Sequence, residues 1–233
     1  MKKLILAVPK GRILSELIPL MVKVDIEPEK EFFKKESRKL MFSTNIKNLY
    51  IIRVRSFDVA TFVALGAAQV GIAGDDVLNE FNYREIYKVL DLGIGKCRLS
   101  VARKKDSEKK YQNNGHLMVA TKYKNTVTNY FADKGIRAEC VKLNGAIELA
   151  PKLGICSTIV DLVSTGKTLQ ENNLIEQEVL LDITSKLIVN KISYKIMNKQ
   201  ISKVINKFTK EKVGNIFKSD KYSSKIWFIF FKQ

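Results

Sequence analysis

Short apolar runs alternate with segments of helical period along most of this chain, and no other feature restricts its fold so strongly. Residues 4–8, 49–54, 70–73, 86–92, 98–102, 117–120, 138–141 and 158–163 read as strands. Between them, Ile13, Leu14, Leu17, Ile18 and Met21 keep helical spacing, as do Val59, Phe62, Val63 and Ala67 behind a candidate N-cap at Ser56. Val127, Tyr130 and Phe131 mark a further helix, residues 146–153 another, and residues 167–172 open one more. Residues 178–190 form a long β-rich run, and 104–115 a polar, exposed loop. Strand-helix alternation predicts an α/β fold with mainly parallel sheets covered on both faces. In such folds ligands bind beyond the carboxyl ends of strands, so the strand-to-helix turns are the places to search.

Composition excludes several classes. The start, Met1-Lys2-Lys3 followed by a short apolar run, faintly mimics a signal peptide, but Lys10-Gly11-Arg12 interrupts it too early. No stretch approaches the length of a membrane span, so the chain is expected in the cytoplasm and off the membrane. Cys97, Cys140 and Cys156 have no metal-type spacing and imply no disulfide framework. His116 is the single histidine and sits in the polar loop, where a surface position is expected; a catalytic triad or a histidine metal cluster is therefore excluded.

The net charge of +17 is uneven, because twelve lysines against two acids, Glu211 and Asp220, follow residue 185. Lys191, Lys195, Lys199, Lys203 and Lys207 recur at near-helical spacing, which reads as a solvated helix face. The run lacks the arginine forks and interleaved aromatics of nucleic-acid readers, so nucleic acid is not expected as a partner.

The most informative turn is Ser164-Thr165-Gly166-Lys167-Thr168, which follows an apolar strand and opens a helix. Gly166 permits a tight turn and close backbone approach. The first amides of a helix are unpaired, and three hydroxyls add donors, a cup suited to a phosphate monoester. A P-loop would need glycine at position 161, which is Asp161. Three weaker turns accompany it. Pro9-Lys10-Gly11-Arg12 offers two cations at a strand end; Gly74-Asp75-Asp76 offers Asp75 as a ligand contact, with Asp76 a possible cap; Gly93-Ile94-Gly95-Lys96-Cys97-Arg98 suggests a crossing between lobes, with Lys96 and Arg98 facing the cleft.

These segments, in order, resemble the ATP phosphoribosyltransferase family, in its short form. Leu143-Asn144-Gly145-Ala146-Ile147-Glu148-Leu149-Ala150-Pro151 and the stretch from Ile159 to Leu169 carry the likeness most specifically. Pro9 to Arg12, Asp91-Leu92-Gly93, Gly95 to Ala102 and Leu187-Ile188-Val189-Asn190 extend it over roughly residues 1–200. The resemblance implies a two-lobed, periplasmic-binding-protein-like fold of type II with a cleft between lobes. It implies lobes at 1–93 with 182–233, and at 94–181. The implied reaction condenses ATP with phosphoribosyl pyrophosphate, with Mg²⁺ on the pyrophosphate. The implied partner is a histidyl-tRNA-synthetase-like regulatory subunit, in a hetero-oligomer containing a homodimer of this chain.

Matched residue by residue, the resemblance gives Asp161, Ser164, Thr165, Gly166, Lys167 and Thr168 to the phosphoribosyl donor. It gives Lys10, Arg12, Arg55, Asp75, Lys96 and Arg98 to the nucleotide, and Asp161, Glu148, Lys10 and Arg12 to catalysis; direct metal ligands are not assigned. A non-catalytic solute-binding module is a rival that the same fold permits, and residues 208–233 match no pattern.

Overall fold

The computed structural model describes residues 3–34, 36–105 and 116–219, of which 116 and 212–219 are described by backbone alone. The polar loop's residues 106–115, the His116 side chain and the segment 220–233 lie outside the described residues. In chain order the elements are β1 (Leu4–Pro9), α1 (Arg12–Lys23), β2 (Met41–Ser43), β3 (Leu49–Val54), α2 (Ser56–Ala64), β4 (Val70–Gly74), α3 (Asp75–Phe81) and β5 (Ile86–Asp91). There follow β6 (Cys97–Lys104), β7 (His116–Thr121), α4 (Lys124–Asp133), β8 (Arg137–Lys142), α5 (Leu149–Lys152), β9 (Thr158–Val163) and α6 (Lys167–Glu171). The chain continues through β10 (Leu174–Ile183), β11 (Ser185–Asn190), α7 (Lys191–Ile196) and α8 (Asn198–Ser219).

The chain divides into two compact units. The first comprises Met1–Ala73, Arg84–Ile94 and Lys186–Gln233; the second comprises Gly74–Tyr83 and Gly95–Ser185. Each is built on one sheet, in the order β2-β3-β1-β4-β11-β5 for the first and β10-β6-β9-β7-β8 for the second. Both sheets are mixed. The pairs β1–β3, β1–β4, β7–β8 and β7–β9 are parallel, whereas β2–β3, β11–β5, β10–β6 and β6–β9 are antiparallel. The parallel pairs are those that strand-helix alternation anticipates. In the second unit β6 brings the chain in and β10 takes it out, so these neighbours run in opposite senses.

In the first unit, Leu6, Val8, Ile51, Ile72 and Val189 on one sheet face bury against Leu17 and Met21 of α1 and Ile201, Val204 and Phe208 of α8. Helix α2 covers the other face. A methyl group at Gly71 would stand 2.7 Å from Val63 Cγ2 and 3.0 Å from Val59 Cγ1, so glycine is what lets α2 lie this close. Helix α1 ends in a Schellman motif: Asp25 N–H donates to Val22 O and Ile26 N–H to Met21 O, with Asp25 at φ 51°. Ile26 and Met21, the apolar pair of that motif, are both in the core. The Lys207 ammonium then caps the same helix end, 3.0 Å from Val24 O and 3.0 Å from Asp25 Oδ2. Lys207 is thus a structural cation and departs from the expected solvated face, while Lys195, Lys199 and Lys203 are exposed as expected.

Other expectations shift locally. Ser56 is the first residue of α2, whose N-cap is Arg55 and has no side-chain cap. The β-rich run divides at Thr184 into β10 and β11, which lie in different sheets. Asn190 closes β11 and ties three segments together. Its Oδ1 accepts from Ser193 N–H at 2.8 Å, capping α7, and its Nδ2 donates to Val63 O and Ala64 O at the end of α2. Asn190 is 3% exposed, and its replacement by alanine strands a helix-terminal N–H and the Ala64 carbonyl, while Val63 O keeps the Gly66 N–H. Asn190→Ala is expected to lower unfolding free energy by about 2–3 kcal/mol, read as a lower denaturant midpoint at unchanged m-value.

Candidate functional site

The second unit holds the turn between β9 and α6. Strand β9 buries Ile159, Val160 and Val163 and then releases the chain into Ser164 and Thr165, both exposed. Gly166 adopts φ 79°, ψ −3°, a left-handed conformation that side chains disfavour, and serves as N-cap of α6. No heavy atom lies within 4 Å of the place a Gly166 Cβ would occupy, so the constraint there is backbone shape and not crowding. Helix α6 has only five residues, which limits its dipole. The turn's capacity for an anion therefore rests on its exposed hydroxyls, its local amides and Lys167.

Asp161 lies three residues before the turn, on the face of the sheet that carries Ile159 and Val163. Burial raises its carboxyl from 3.8 to about 6. The Leu162 N–H, 2.8 Å from Oδ1, opposes that rise, while the charges of Glu148 and Asp76 add to it and that of Lys122 opposes it. Asp161 and Glu148, both expected in the catalytic set, are thus brought within electrostatic range of each other. Glu148 is the N-cap residue of α5 and half-buried.

Beside Asp161, β6 contributes Ser100, its register partner, and Arg98, the partner of Val163. Arg98 was expected to meet phosphate oxygens, but its guanidinium is committed to Glu176 of β10, with Nε and Nη2 each 2.5 Å from a carboxylate oxygen. Its Nη1 donates to Ser164 O at 3.3 Å. Sequence reasoning missed Glu176, because the partner lies 78 residues away.

Helix α3 is tied to this unit through Tyr123 and the start of α4. Tyr123 O–H donates to Asp76 Oδ2 at 2.9 Å, and burial pushes the tyrosine far up and raises Asp76. Asp76 is therefore a buried partner of Tyr123 whose carboxylate also bonds the backbone at Asp76 and Val77 in the first turn of α3, while Gly74, the N-cap residue, has no side-chain bond. A Cβ at Gly74 would fall 2.1 Å from Asp76 Oδ1. Glu80 caps α4, accepting from Asn125 N–H and Thr126 N–H at 3.0 Å each. Asp75 Oδ2 lies 3.4 Å from the N–H and the hydroxyl of Thr184, and Lys96 is exposed just before β6.

The first unit gathers the remaining cations. Strands β1 and β3 are parallel neighbours, so Pro9 and Val54 end at the same sheet edge, and Lys10 N–H donates to Val54 O at 2.9 Å. Lys10, Arg12 and Arg55 follow from that edge and are exposed. Arg12 lies 3.9 Å from Glu16, a surface pair one helical turn apart. Among the described residues, no three acidic, histidine or cysteine side chains converge into a metal-binding group.

Comparison with known proteins bears on the family and the fold. The family model for ATP phosphoribosyltransferase matches residues 55–210. The ATP phosphoribosyltransferase of Sphingopyxis alaskensis is 51% identical over 91% of this chain and 95% of its own length, and that of Paramagnetospirillum magneticum is 54% identical over 89% and 96%. Among solved structures, the ATP phosphoribosyl transferase HisG:HisZ complex from Thermotoga maritima matches with TM-score 0.75 at 29% identity, over 89% of this chain and 97% of that one. The periplasmic VFT2 domain of Bordetella pertussis BvgS matches with TM-score 0.54 at 12% identity, over 88% and 86%, which bears on fold alone and agrees with the periplasmic-binding-protein-like expectation. With half or more of its residues shared with relatives over nearly their whole length, the chain belongs to the ATP phosphoribosyltransferase family.

Proposed function

We propose that the chain joins N1 of ATP's adenine to C1 of phosphoribosyl pyrophosphate, releasing pyrophosphate, as the first step of histidine biosynthesis, with the turn after β9 holding the donor. The observation that carries this reading is the Ser164-Thr165-Gly166-Lys167-Thr168 turn, left-handed at Gly166 and with its four side chains exposed, and the half-buried, poorly solvated carboxylate of Asp161 three residues before it. The hydroxyls, turn amides and Lys167 take the donor's 5-phosphate. Positive charge grows on the ribose as the bond to pyrophosphate lengthens. A carboxylate fixed in a poorly solvated position stabilises that charge without reorganising, and Asp161 fills this role, with Glu148 adding to the local negative potential. No covalent nucleophile is needed; positioning the two substrates supplies the remainder. Lys10, Arg12, Arg55 and Lys96 are assigned to phosphate oxygens of pyrophosphate or ATP, and Asp75 to a nucleotide hydroxyl or amino group.

Mg²⁺ fits this chemistry as an ion carried largely by substrate oxygens, which it commonly prefers to an all-protein cage. Asp161, directly or through water, is the residue suited to hold it, and the ion's contribution is neutralising the leaving pyrophosphate. The assembly reading is a hetero-oligomer with a histidyl-tRNA-synthetase-like regulatory subunit, containing a homodimer of this chain. Its support is that the Thermotoga relative was solved as a HisG:HisZ complex. The cytoplasm is the compartment proposed, because ATP and phosphoribosyl pyrophosphate are both present there.

Purified chain mixed with both substrates and Mg²⁺, with and without the regulatory subunit, should release pyrophosphate and form phosphoribosyl-ATP in equal amounts. Absence of product from folded protein in both mixtures would favour the non-catalytic binding module. Thr165→Ala should weaken donor binding at least about tenfold, and Gly166→Val should abolish it, because valine disfavours φ 79°. Wild-type donor affinity in folded Gly166→Val protein would sink the loop assignment.

The raised Asp161 value gives a second test. Native Asp161 ionises near 6 and its unfolded form near 3.8, so the ionised native carboxylate costs roughly 3 kcal/mol above pH 6, and this cost disappears as pH falls toward 4. Asp161→Asn should therefore melt higher than wild type at pH 7.5, with the margin shrinking through pH 6. Wild-type kcat/KM for the donor should decline on the acid side with an apparent pKa near 6, and the variant should be slow at every pH. A melting difference independent of pH would contradict the electrostatic role.

A further inference from the structure

The geometry points to the Arg98–Glu176 pair as the device that positions the donor-phosphate turn, with Arg98 acting through the Ser164 carbonyl and not as a phosphate ligand; this rests on the donor-site reading above. Sheet order supplies the first support. Strand β6 lies between β10 and β9. Arg98 lies near the start of β6 beside Val163, the last residue of β9, so its side chain can reach the turn on one side and β10 on the other. One guanidinium reaches both neighbours. Its Nε and Nη2 bind Glu176 Oε1 and Oε2 at 2.5 Å, and its Nη1 donates to Ser164 O at 3.3 Å.

The carboxylate is itself held. Ser100, fully buried on β6, donates its hydroxyl to Glu176 Oε1 at 2.7 Å. The ladder between β10 and β6 is irregular between Glu176 and Glu178, where Glu176 pairs with Ala102 and Glu178 with Val101. A bulge of this kind redirects a side chain along the sheet, and here Glu176 reaches back past Ala102 to Ser100 and Arg98. The hydrogen bond from Arg98 holds the Glu176 carboxyl below the usual carboxylate range, which matches a pair that stays charged. With side-chain exposures of 33% and 25%, the pair is half-buried, and its guanidinium grips the carboxylate with two hydrogen bonds, the strong form of such a pair.

A positioning role and a direct ligand role predict opposite results when Glu176 is lost. If Arg98 bound phosphate itself, removing Glu176 would free the guanidinium, and donor affinity would hold or improve. If Arg98 holds the turn through Ser164, losing either partner loosens the same contact, and losing both adds nothing further.

The test is a double-mutant cycle of Glu176→Ala, Arg98→Ala and the double variant, with donor and ATP dissociation constants measured separately by calorimetry on the full chain. Each single variant should bind phosphoribosyl pyrophosphate about tenfold or more weakly, the double variant no more weakly than the worse single, and ATP within about twofold of wild type. Glu176→Gln, which keeps the shape and one oxygen acceptor, should fall between wild type and Glu176→Ala, and it serves as the folded alternative if the alanine variant does not fold. Unchanged or tighter donor binding on losing Glu176, additive losses in the double variant, or equal weakening toward ATP would each overturn the proposal. Gly166→Val measured alongside separates the two readings. If it abolishes donor binding while Glu176→Ala and Glu176→Gln bind normally, the positioning role falls and the donor loop stands; if it binds normally, the donor loop itself falls.

Discussion

The antiparallel register of β10, β6 and β9 is the constraint on which the candidate site depends. Side chains on a strand alternate between faces, so pairing Arg98 with Val163 and Ser100 with Asp161 sets Arg98, Ser100 and Asp161 on one face. Pairing Ala102 with Glu176 sets Glu176 on that face as well. A slip of one residue would turn Asp161 to the opposite face and carry Arg98 away from the loop. What specifies the register is burial: Ile159, Val163 and Ala102 belong to the apolar cluster on this same face, with Ile147, Ala150 and Leu169 packed over it. The hydrophobic pattern that folds the sheet is thus also the pattern that assembles the polar site.

Stability is given up where chemistry needs it and recovered elsewhere. Asp161 sits among Glu148, Asp76 and apolar neighbours, with the Leu162 N–H and the charge of Lys122 as partial compensation, and its native state is worse for the ionised form than water is. The offsets lie in side chains with no assigned part in the reaction. Glu80 caps α4 from α3, Asn190 joins α2 to α7, and Lys207 closes the end of α1. Each satisfies backbone groups that a helix end leaves unpaired, which is worth most where water is excluded.

Local patterns were legible in the sequence and distant pairings were not. Residues 49–54 and 158–163 appear as strands with the bounds expected of them, because a buried run and its flanking turn residues are local signals. The turn at Gly166 was legible for the same reason, since its left-handed backbone needs the residue that stands there. The 3₁₀ turn Lys30–Phe33 and the three-residue β2 are too short to carry a period. Residues 178–190 read as one β-rich run because a single residue, Thr184, separates strands of two different sheets. Lys207 looked like one more solvated lysine, and only the fold brings it to the Val24 carbonyl, 183 residues earlier. Arg98 was singled out for its charge, yet the residue that fixes its role, Glu176, sits in a run of alternating acids with nothing local to mark it.

A crystal structure of the chain with phosphoribosyl pyrophosphate and Mg²⁺ tests the central claim most directly. The account predicts the donor's 5-phosphate within hydrogen-bond distance of the backbone N–H groups of Gly166, Lys167 and Thr168 and of the Thr165 hydroxyl, with the Asp161 carboxylate against the ribose or its metal-bound water. Donor density whose 5-phosphate lies away from this turn, with residues 164–168 contacting no ligand atom, would contradict it.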